Sequence, residues 1–176
     1  MRNSVKEIPV SSQRVLVKTG LIVDLNNLYF SIRSKYGKRL KILDYTDYLE
    51  NLGHTLTYKV AYNTIESENQ ESHGFLSLLK ANRFEVHFGK TNWSIAMALR
   101  TADIVPNVDC FILGSSNPSL GRLLSWARNQ GKITKCVAAN IPTFFNQFCE
   151  TIEVPREILS EAPTPAKPVE LYSDSN

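Results

Sequence analysis

The sequence predicts an α/β protein of three layers, α/β/α, with a mostly parallel central sheet. Short apolar, β-rich runs alternate along the chain with segments of about 10 to 15 residues whose apolar positions recur at helical spacing. The first apolar run ends on a carboxylate and leads directly into an amphipathic helix, as in a βα unit. The chain has 176 residues, of which 43% are hydrophobic and 21% charged, and this composition is typical of one domain with its own core.

The first half of the chain contains three such βα pairs. Leu28, Ile32 and Tyr36 form one stripe of the first helix, and Asp44 is placed to cap the second. The predicted strands are residues 15–24, 57–62 and 84–88. The predicted helices are residues 26–36, 44–52 and 66–81.

The second half continues the alternation. A helix is expected at residues 92–104, where Ile95, Leu99 and Ala102 have the spacing of a buried face. A helix at 118–130 ends at Gly131, and a short last helix is expected at 142–148. The predicted strands of this half are residues 110–114, 134–139 and 151–154.

The two ends of the chain differ from its body in composition. Pro163, Pro165 and Pro168 lie in a polar setting with little to bury, so residues 160–176 are expected to form a flexible tail. Residues 1–14 are expected to be an N-terminal extension, and residues 15–159 the folded domain. The net charge of the chain is +3, and the tail alone has a net charge of −2. The remainder of the chain therefore has a mild excess of positive charge, which permits nucleic-acid binding.

Several functional classes are disfavoured by missing motifs. Neither G-x-G-x-x-G nor G-x-x-x-x-G-K-[ST] occurs, which disfavours a dinucleotide-binding or P-loop protein. The three cysteines are widely spaced within or beside apolar runs, which indicates buried free thiols in a reducing compartment. No uncharged apolar run approaches the roughly 18 residues that a membrane span needs. We therefore expect a cytoplasmic protein without membrane insertion.

A ligand site is expected where two chain segments emerge from the carboxyl edge of the sheet. Asp24 ends the first strand, and the Gly114-Ser-Ser-Asn-Pro118 turn follows a later one. In parallel α/β sheets the carboxyl ends of the strands open onto the binding crevice.

The same residues carry a resemblance to a known family. Gly20-Leu-Ile-Val-Asp24-Leu-Asn-Asn27-Leu-Tyr resembles the opening strand, Asp-x-x-Asn and aromatic residue of NYN domains, which are PIN-like (Rossmannoid) metal-dependent ribonucleases. The segment from Trp93 to Arg100 is similar to their acid-bearing helix. Ser115-Ser-Asn-Pro-Ser119 is similar to their Ser-Gly-Asp-x-Asp turn, and the resemblance extends to Ile158.

The departures from this family pattern affect its acids. Ser94 and Arg100 stand where the helix usually has carboxylates, and Asn117 and Ser119 stand where the turn has two more. The resemblance implies a catalytic or metal-binding role for Asp24, beside Asn27, but one carboxylate would hold Mg²⁺ only weakly. If Arg100 pointed into the same pocket, it would pair with Asp24, repel a divalent cation and attract a phosphate.

A run of cations begins near the end of the first predicted helix and continues beyond it. Aromatic residues among cations suit single-stranded RNA, because bases stack on the rings while Lys and Arg contact the phosphates. Tyr29 and Tyr36 lie within or just before this run. The predicted RNA-binding residues are Arg33, Lys35, Lys38, Arg39 and Lys41, with Lys90 as an extension.

Three functions follow from these observations. We expect a protein that binds RNA or a protein partner without efficient cleavage and that needs no cofactor. One alternative is an active endoribonuclease that uses Asp24 with Mg²⁺ or Mn²⁺ and an unrecognised acid such as Asp103. The second alternative is a protein-interaction module with no nucleic-acid role. The residues that replace the four acids favour the first of these functions.

Overall fold

A six-stranded parallel sheet forms the centre of the molecule, as predicted. The computed structural model describes residues 16–64, 70–90 and 92–161. The strands of the sheet are β1 (Val17–Asp24), β3 (His54–Thr64), β4 (Glu85–Gly89), β5 (Cys110–Gly114), β6 (Ile133–Ala138) and β7 (Glu150–Glu153). Their order is β4-β3-β1-β5-β6-β7, and every neighbouring pair is parallel.

Helices cover both faces of this sheet. They are α1 (Leu25–Tyr36), α2 (Ile42–Asn51), α3 (Gln70–Ala81), α4 (Ser94–Ile104) and α5 (Gly121–Asn129). The chain runs outward from β1 to β4 in one direction and from β5 to β7 in the other, so right-handed crossovers place α1 to α3 on one face and α4 with α5 on the opposite face. The ring centroids of Tyr29 in α1 and Phe75 in α3 are 6.2 Å apart, and α4 contacts α5. The predicted three-layer architecture is confirmed.

The strand β1 lies inside the sheet and contributes to the core. Leu21, Ile22 and Val23 are fully buried. Gly20 lies beneath α4, and a Cβ atom there would stand only 2.4 Å from Cγ2 of Ile104. The missing side chain therefore lets the end of α4 pack directly on β1.

One predicted helix face is wrong. In α4 the buried side chains are Met97, Thr101 and Ile104, whereas Ile95, Leu99 and Ala102 are exposed. The helix has apolar residues on two stripes, and spacing alone does not say which stripe faces the sheet.

A second, two-stranded sheet was not predicted. Strands β2 (Lys38–Leu40) and β8 (Leu159–Glu161) pair antiparallel, and each has only three residues, too few for a recognisable period. The predicted tail begins at residue 160, whereas β8 continues to Glu161. The remainder of that tail, the N-terminal extension and the start of the predicted 66–81 helix lie outside the described residues.

The remaining predictions concern local structure. The predicted helix at 118–130 begins with the 3₁₀ turn Pro118–Leu120 before α5, and the predicted short helix at 142–148 is the 3₁₀ segment Thr143–Gln147. The cysteines Cys110, Cys136 and Cys149 are buried free thiols. Within the described ranges, no helix combines the length and the apolarity that crossing a bilayer requires.

Candidate functional site

A cleft of about 380 Å³ opens at the carboxyl edge of the sheet. β1 lies between β3 and β5, and the direction in which the chain adds strands reverses between β1 and β5. This is the topological switch point, where open α/β sheets bind their ligands. The cleft is lined by Asp24, Asn26, Asn27, Thr64, Asn92, Trp93, Ser94, Met97, Asn117, Ser119 and Leu120.

Asp24 lies at the junction of β1 and α1. Its Oδ1 atom accepts a hydrogen bond of 3.2 Å from the backbone N–H of Asn27, so the side chain caps α1. Burial raises the pKa of Asp24, and the hydrogen bond from the Asn27 N–H opposes this rise without cancelling it. No salt bridge in the described residues pairs Asp24 with a cation. Within the described part of the chain, Asp24 is thus a carboxylate with a neutral backbone donor and no cation as its partner.

Asn27 connects α1 to the turn after β5. Its Oδ1 atom accepts hydrogen bonds from the Ser115 hydroxyl at 3.1 Å, the Ser116 backbone N–H at 2.7 Å and the Ser116 hydroxyl at 3.1 Å. Ser115 and Ser116 are both buried. Asn27 therefore positions the turn against Asp24, and its side-chain oxygen is already occupied by donors.

Three neutral side chains complete the cleft beside Asp24. The Oδ1 atom of Asn117 accepts a 3.1 Å hydrogen bond from the N–H of Ser119 and caps the 3₁₀ turn that follows. Ser94 begins α4, and its N–H donates to Asn92 Oδ1 at 2.9 Å. The structure thus brings Ser94, Asn117 and Ser119 together with Asp24, although they come from three separate segments.

Arg100 lies elsewhere. Its Nη2 and Nε atoms donate to Glu85 Oε2 at 2.6 and 3.0 Å, and Arg100 is not among the residues that line the cleft. Six residues of helix separate it from Ser94, which is about 9 Å of rise and a rotation onto another face. Arg100 does not point into the pocket of Asp24, and the two residues therefore form no ion pair. Asp103 is also outside the cleft, with its Oδ2 atom 3.7 Å from Arg100 Nη1.

The cations of the predicted basic run do not form one continuous surface. Some are in ion pairs, two border a separate groove, and others are exposed. Lys35 pairs with Glu153 at 2.6 Å, and Lys38 pairs with Glu161 at 2.7 Å. Tyr36 also donates to Glu153, at 2.7 Å, and is thereby turned toward the protein. These ion pairs offset the positive charge of two of the predicted RNA contacts.

The other cations fall into two groups. Arg39 and Lys41 border a separate groove of about 370 Å³ that also contains Tyr29 and Phe75. Arg33 is exposed on α1, and Lys90 is exposed just beyond β4, at the same edge of the sheet as Asp24. Among the described residues, no carboxylate forms a salt bridge with Arg33 or Lys90.

Phe30 is a surface feature that the sequence prediction missed. Its side chain is 75% exposed, and it lies one helical turn after Asn26, which lines the cleft. Arg33 follows three residues later on the same side of α1. The signal was available in the sequence, because Phe30 falls outside the buried stripe of Leu28 and Ile32.

This fold and cleft define a PIN-like α/β domain of three layers. The family model of the NYN domain matches residues 18–154, and the chain belongs to that family. The structure is similar to the crystal structure of a protein of unknown function, VPA0982 from Vibrio parahaemolyticus, with a TM-score of 0.73 and 19% sequence identity. The match covers 83% of this chain and 98% of that one, and at such identity it shows the fold alone. No curated protein sequence matches the chain.

The donor set of the cleft does not fit a two-metal centre. Metal-assisted phosphodiester chemistry of that kind needs several carboxylates around two ions. Asp24 supplies one, and the oxygens of Asn27 and Asn117 already accept protein hydrogen bonds. Within residues 16–64, 70–90 and 92–161, no group of three or more His, Cys, Asp or Glu side chains is placed to hold an ion.

Asp24→Asn is expected to raise the thermal stability of the protein at pH 7 in EDTA. The amide oxygen keeps the cap on α1, while the cost of a partly buried charge is removed, a gain of about 0.5–2 kcal/mol. Because folding raises the pKa of Asp24, this cost is present at neutral pH and disappears as the pH falls through the raised pKa toward 3.8. Melting curves between pH 3.5 and 7 should show the variant's advantage shrinking with acidity.

Asp47→Asn, at an exposed position of α2, is the control and should leave the melting temperature unchanged across this pH range. A variant Asp24→Asn that melts below the wild type at pH 7 would contradict the assignment of a net cost to the Asp24 charge.

Proposed function

We propose that this NYN domain binds single-stranded RNA at the cleft and cleaves it inefficiently or not at all. The observation that carries the proposal is that Asp24 is the one carboxylate among the described residues of the cleft. Ser94, Asn117 and Ser119 line the same cleft at the positions where the family resemblance places acids. A neutral wall beside one carboxylate can hydrogen-bond to RNA but lacks the charge that would hold two cations.

The surroundings of the cleft support RNA as the ligand. Phe30 offers an exposed ring on which a base can stack, and Arg33 lies beside it to contact the adjoining phosphate. Lys90 adds a positive charge at the same edge of the sheet. Aromatic residues interleaved with unpaired cations favour single strands, whose bases are free to stack.

The two alternatives have less support. An active nuclease that used Asp103 as a further acid would need that side chain in the cleft, whereas it lies beside Arg100. A pure protein-interaction module would leave unexplained the exposed ring of Phe30, one helical turn after Asn26 of the switch-point cleft, with Arg33 three residues further along α1.

The proposal is tested by measuring binding of a fluorescent single-stranded RNA oligonucleotide by anisotropy, in EDTA, between 50 and 200 mM salt. Affinity should fall steeply with salt, as expected for phosphate contacts. Phe30→Ala should weaken binding about tenfold through loss of stacking, and Arg33→Ala should reduce the salt dependence by about one phosphate contact. Ile133→Ala, a matched exposed apolar position on β6, should have no effect.

A cleavage assay in Mg²⁺ and in Mn²⁺ completes the test. The proposal expects the RNA to stay intact, or to be cut no faster by the wild type than by Asp24→Asn. Efficient cleavage that Asp24→Asn abolishes would establish the nuclease alternative. Failure to bind RNA even at the lowest salt would favour the protein-interaction module.

A further inference from the structure

Helix α4 has a second apolar face that points away from the sheet. Ile95 is 75% exposed and Leu99 is 66% exposed, and the exposed residues Ala98 and Ala102 lie between and beyond them. These four residues form one stripe at the i, i+3, i+4, i+7 spacing of a helix face that packs on another element. We call this set the α4 stripe.

A shallow groove extends the α4 stripe toward α5. The groove has a volume of about 460 Å³ and is bordered by the α4 stripe together with Ser94, Leu123 and Trp126. Contiguous exposed apolar surface of this kind on one face marks an interaction site more often than isolated exposed residues do. Among the described residues that border the groove, none is charged, and interface cores are depleted of charge in the same way.

We propose that the α4 stripe is the contact between two copies of this chain, packed antiparallel about a two-fold axis. In such a pair the two helices run in opposite directions, so the residue numbers of any two facing positions add up to the same value. With the axis between Ala98 and Leu99, Ile95 faces the partner's Ala102, and Leu99 faces the partner's Ala98. A large side chain therefore meets a small one at every level, and the stripe is complementary to itself.

The size of the patch is typical of a weak association. An apolar patch of this class presents on the order of 400 Å² per copy. Two copies with a polar rim reach the lower end of specific interfaces, about 1,200 Å² in total. We therefore expect a weak dimer whose dissociation constant is about micromolar or higher.

The geometry of the dimer is tested by disulfide formation in the double variant Ile95→Cys/Ala102→Cys. Within one chain, the two positions are about 10 Å apart along the helix, beyond the roughly 7 Å that a disulfide spans. Between antiparallel copies they face each other, so mild oxidation should give a covalent dimer. The native cysteines are buried and do not compete.

Each single cysteine variant is the control. In the antiparallel pair, two copies of position 95, or two copies of position 102, are too far apart to link, so neither single variant should dimerise on oxidation. Dimers from the single variants, at the same rate as from the double variant, would overturn the antiparallel arrangement.

Sedimentation equilibrium from 5 to 500 μM tests whether the wild type self-associates through this surface. Leu99→Lys should weaken association at least about 100-fold, because it buries an unpaired ammonium against the partner. Ile133→Lys makes the same kind of change, from an exposed apolar side chain to lysine, outside the groove, and it should leave the association unchanged. A wild type that stays monomeric at 500 μM, or a Leu99→Lys variant that dimerises normally, would overturn the proposal.

Discussion

Ser94→Asp, Asn117→Asp and Ser119→Asp, introduced together, are expected to raise Mn²⁺-dependent cleavage of single-stranded RNA by at least about 100-fold. All three positions line the cleft that holds Asp24, so the variant would have four carboxylates around one pocket. Several carboxylates can hold divalent cations that activate water and neutralise the leaving oxygen.

The local structure should tolerate these substitutions. An acid at position 117 can accept the same hydrogen bond from the N–H of Ser119 that the native Oδ1 atom accepts. An acid at position 94 lies in the first turn of α4, where the helix dipole favours negative charge and where no acidic residue is present in the native chain. Repulsion among the four carboxylates should lower the melting temperature in EDTA, and Mn²⁺ should restore it.

The matched control is Ser94→Asn/Ser119→Asn, which adds side chains of similar shape without charge. It should neither cleave RNA nor be stabilised by Mn²⁺. Adding Asp24→Asn to the acidic variant should abolish its gain in cleavage. An acidic variant that is neither stabilised by Mn²⁺ nor active would show that acids at these positions are insufficient to form a metal site.

Asn27→Ala is expected to destabilise the protein by about 2–3 kcal/mol and to lower the melting temperature by about 5–10 °C. The Asn27 Oδ1 atom accepts three hydrogen bonds, and its loss leaves the buried N–H of Ser116 and the hydroxyls of Ser115 and Ser116 without that acceptor. Buried donors that lose their partners cost more than the average hydrogen bond. Thermal and urea unfolding measure the effect.

Asn26→Ala is a close control, because it removes the same type of side chain one position earlier. The Asn26 amide also makes two hydrogen bonds, to the backbone N–H and C=O of Thr64, but both are exposed to water. Its loss should therefore cost less than about 1 kcal/mol. Equal costs for the two substitutions would contradict the assignment of Asn27 as the anchor of the turn after β5.

Features that depend on neighbouring residues were predictable. The apolar run of β1 and the amphipathic pattern of α1 together indicate a strand that ends at Asp24 and a helix that starts beside it. The same holds for β5 and its Ser-Ser-Asn turn. Because parallel strands bring their carboxyl ends to one edge, placing Asp24 near Asn117 required only the order of the elements.

The face that a helix turns toward the sheet could not be predicted in the same way. The two apolar stripes of α4 have similar spacing, and Gly20, which lets α4 approach β1 with Ile104 inward, is 84 positions away in the chain. The rotation of α4 also turned Arg100 toward Glu85 on β4 and away from Asp24. Likewise, Glu153 and Glu161, which pair with Lys35 and Lys38, follow more than 100 residues later.

By itself, the sequence determined the fold class, the NYN resemblance and the position of Asp24 at the carboxyl edge of the sheet. These properties follow from periodicity and from element order, which are local. The tertiary structure decided which cations are free, which face of α4 meets solvent and which neutral residues surround Asp24. The physical reason is that packing and ion pairing are settled between segments distant in the chain, where close contact selects one rotation of each helix among several that its own sequence allows.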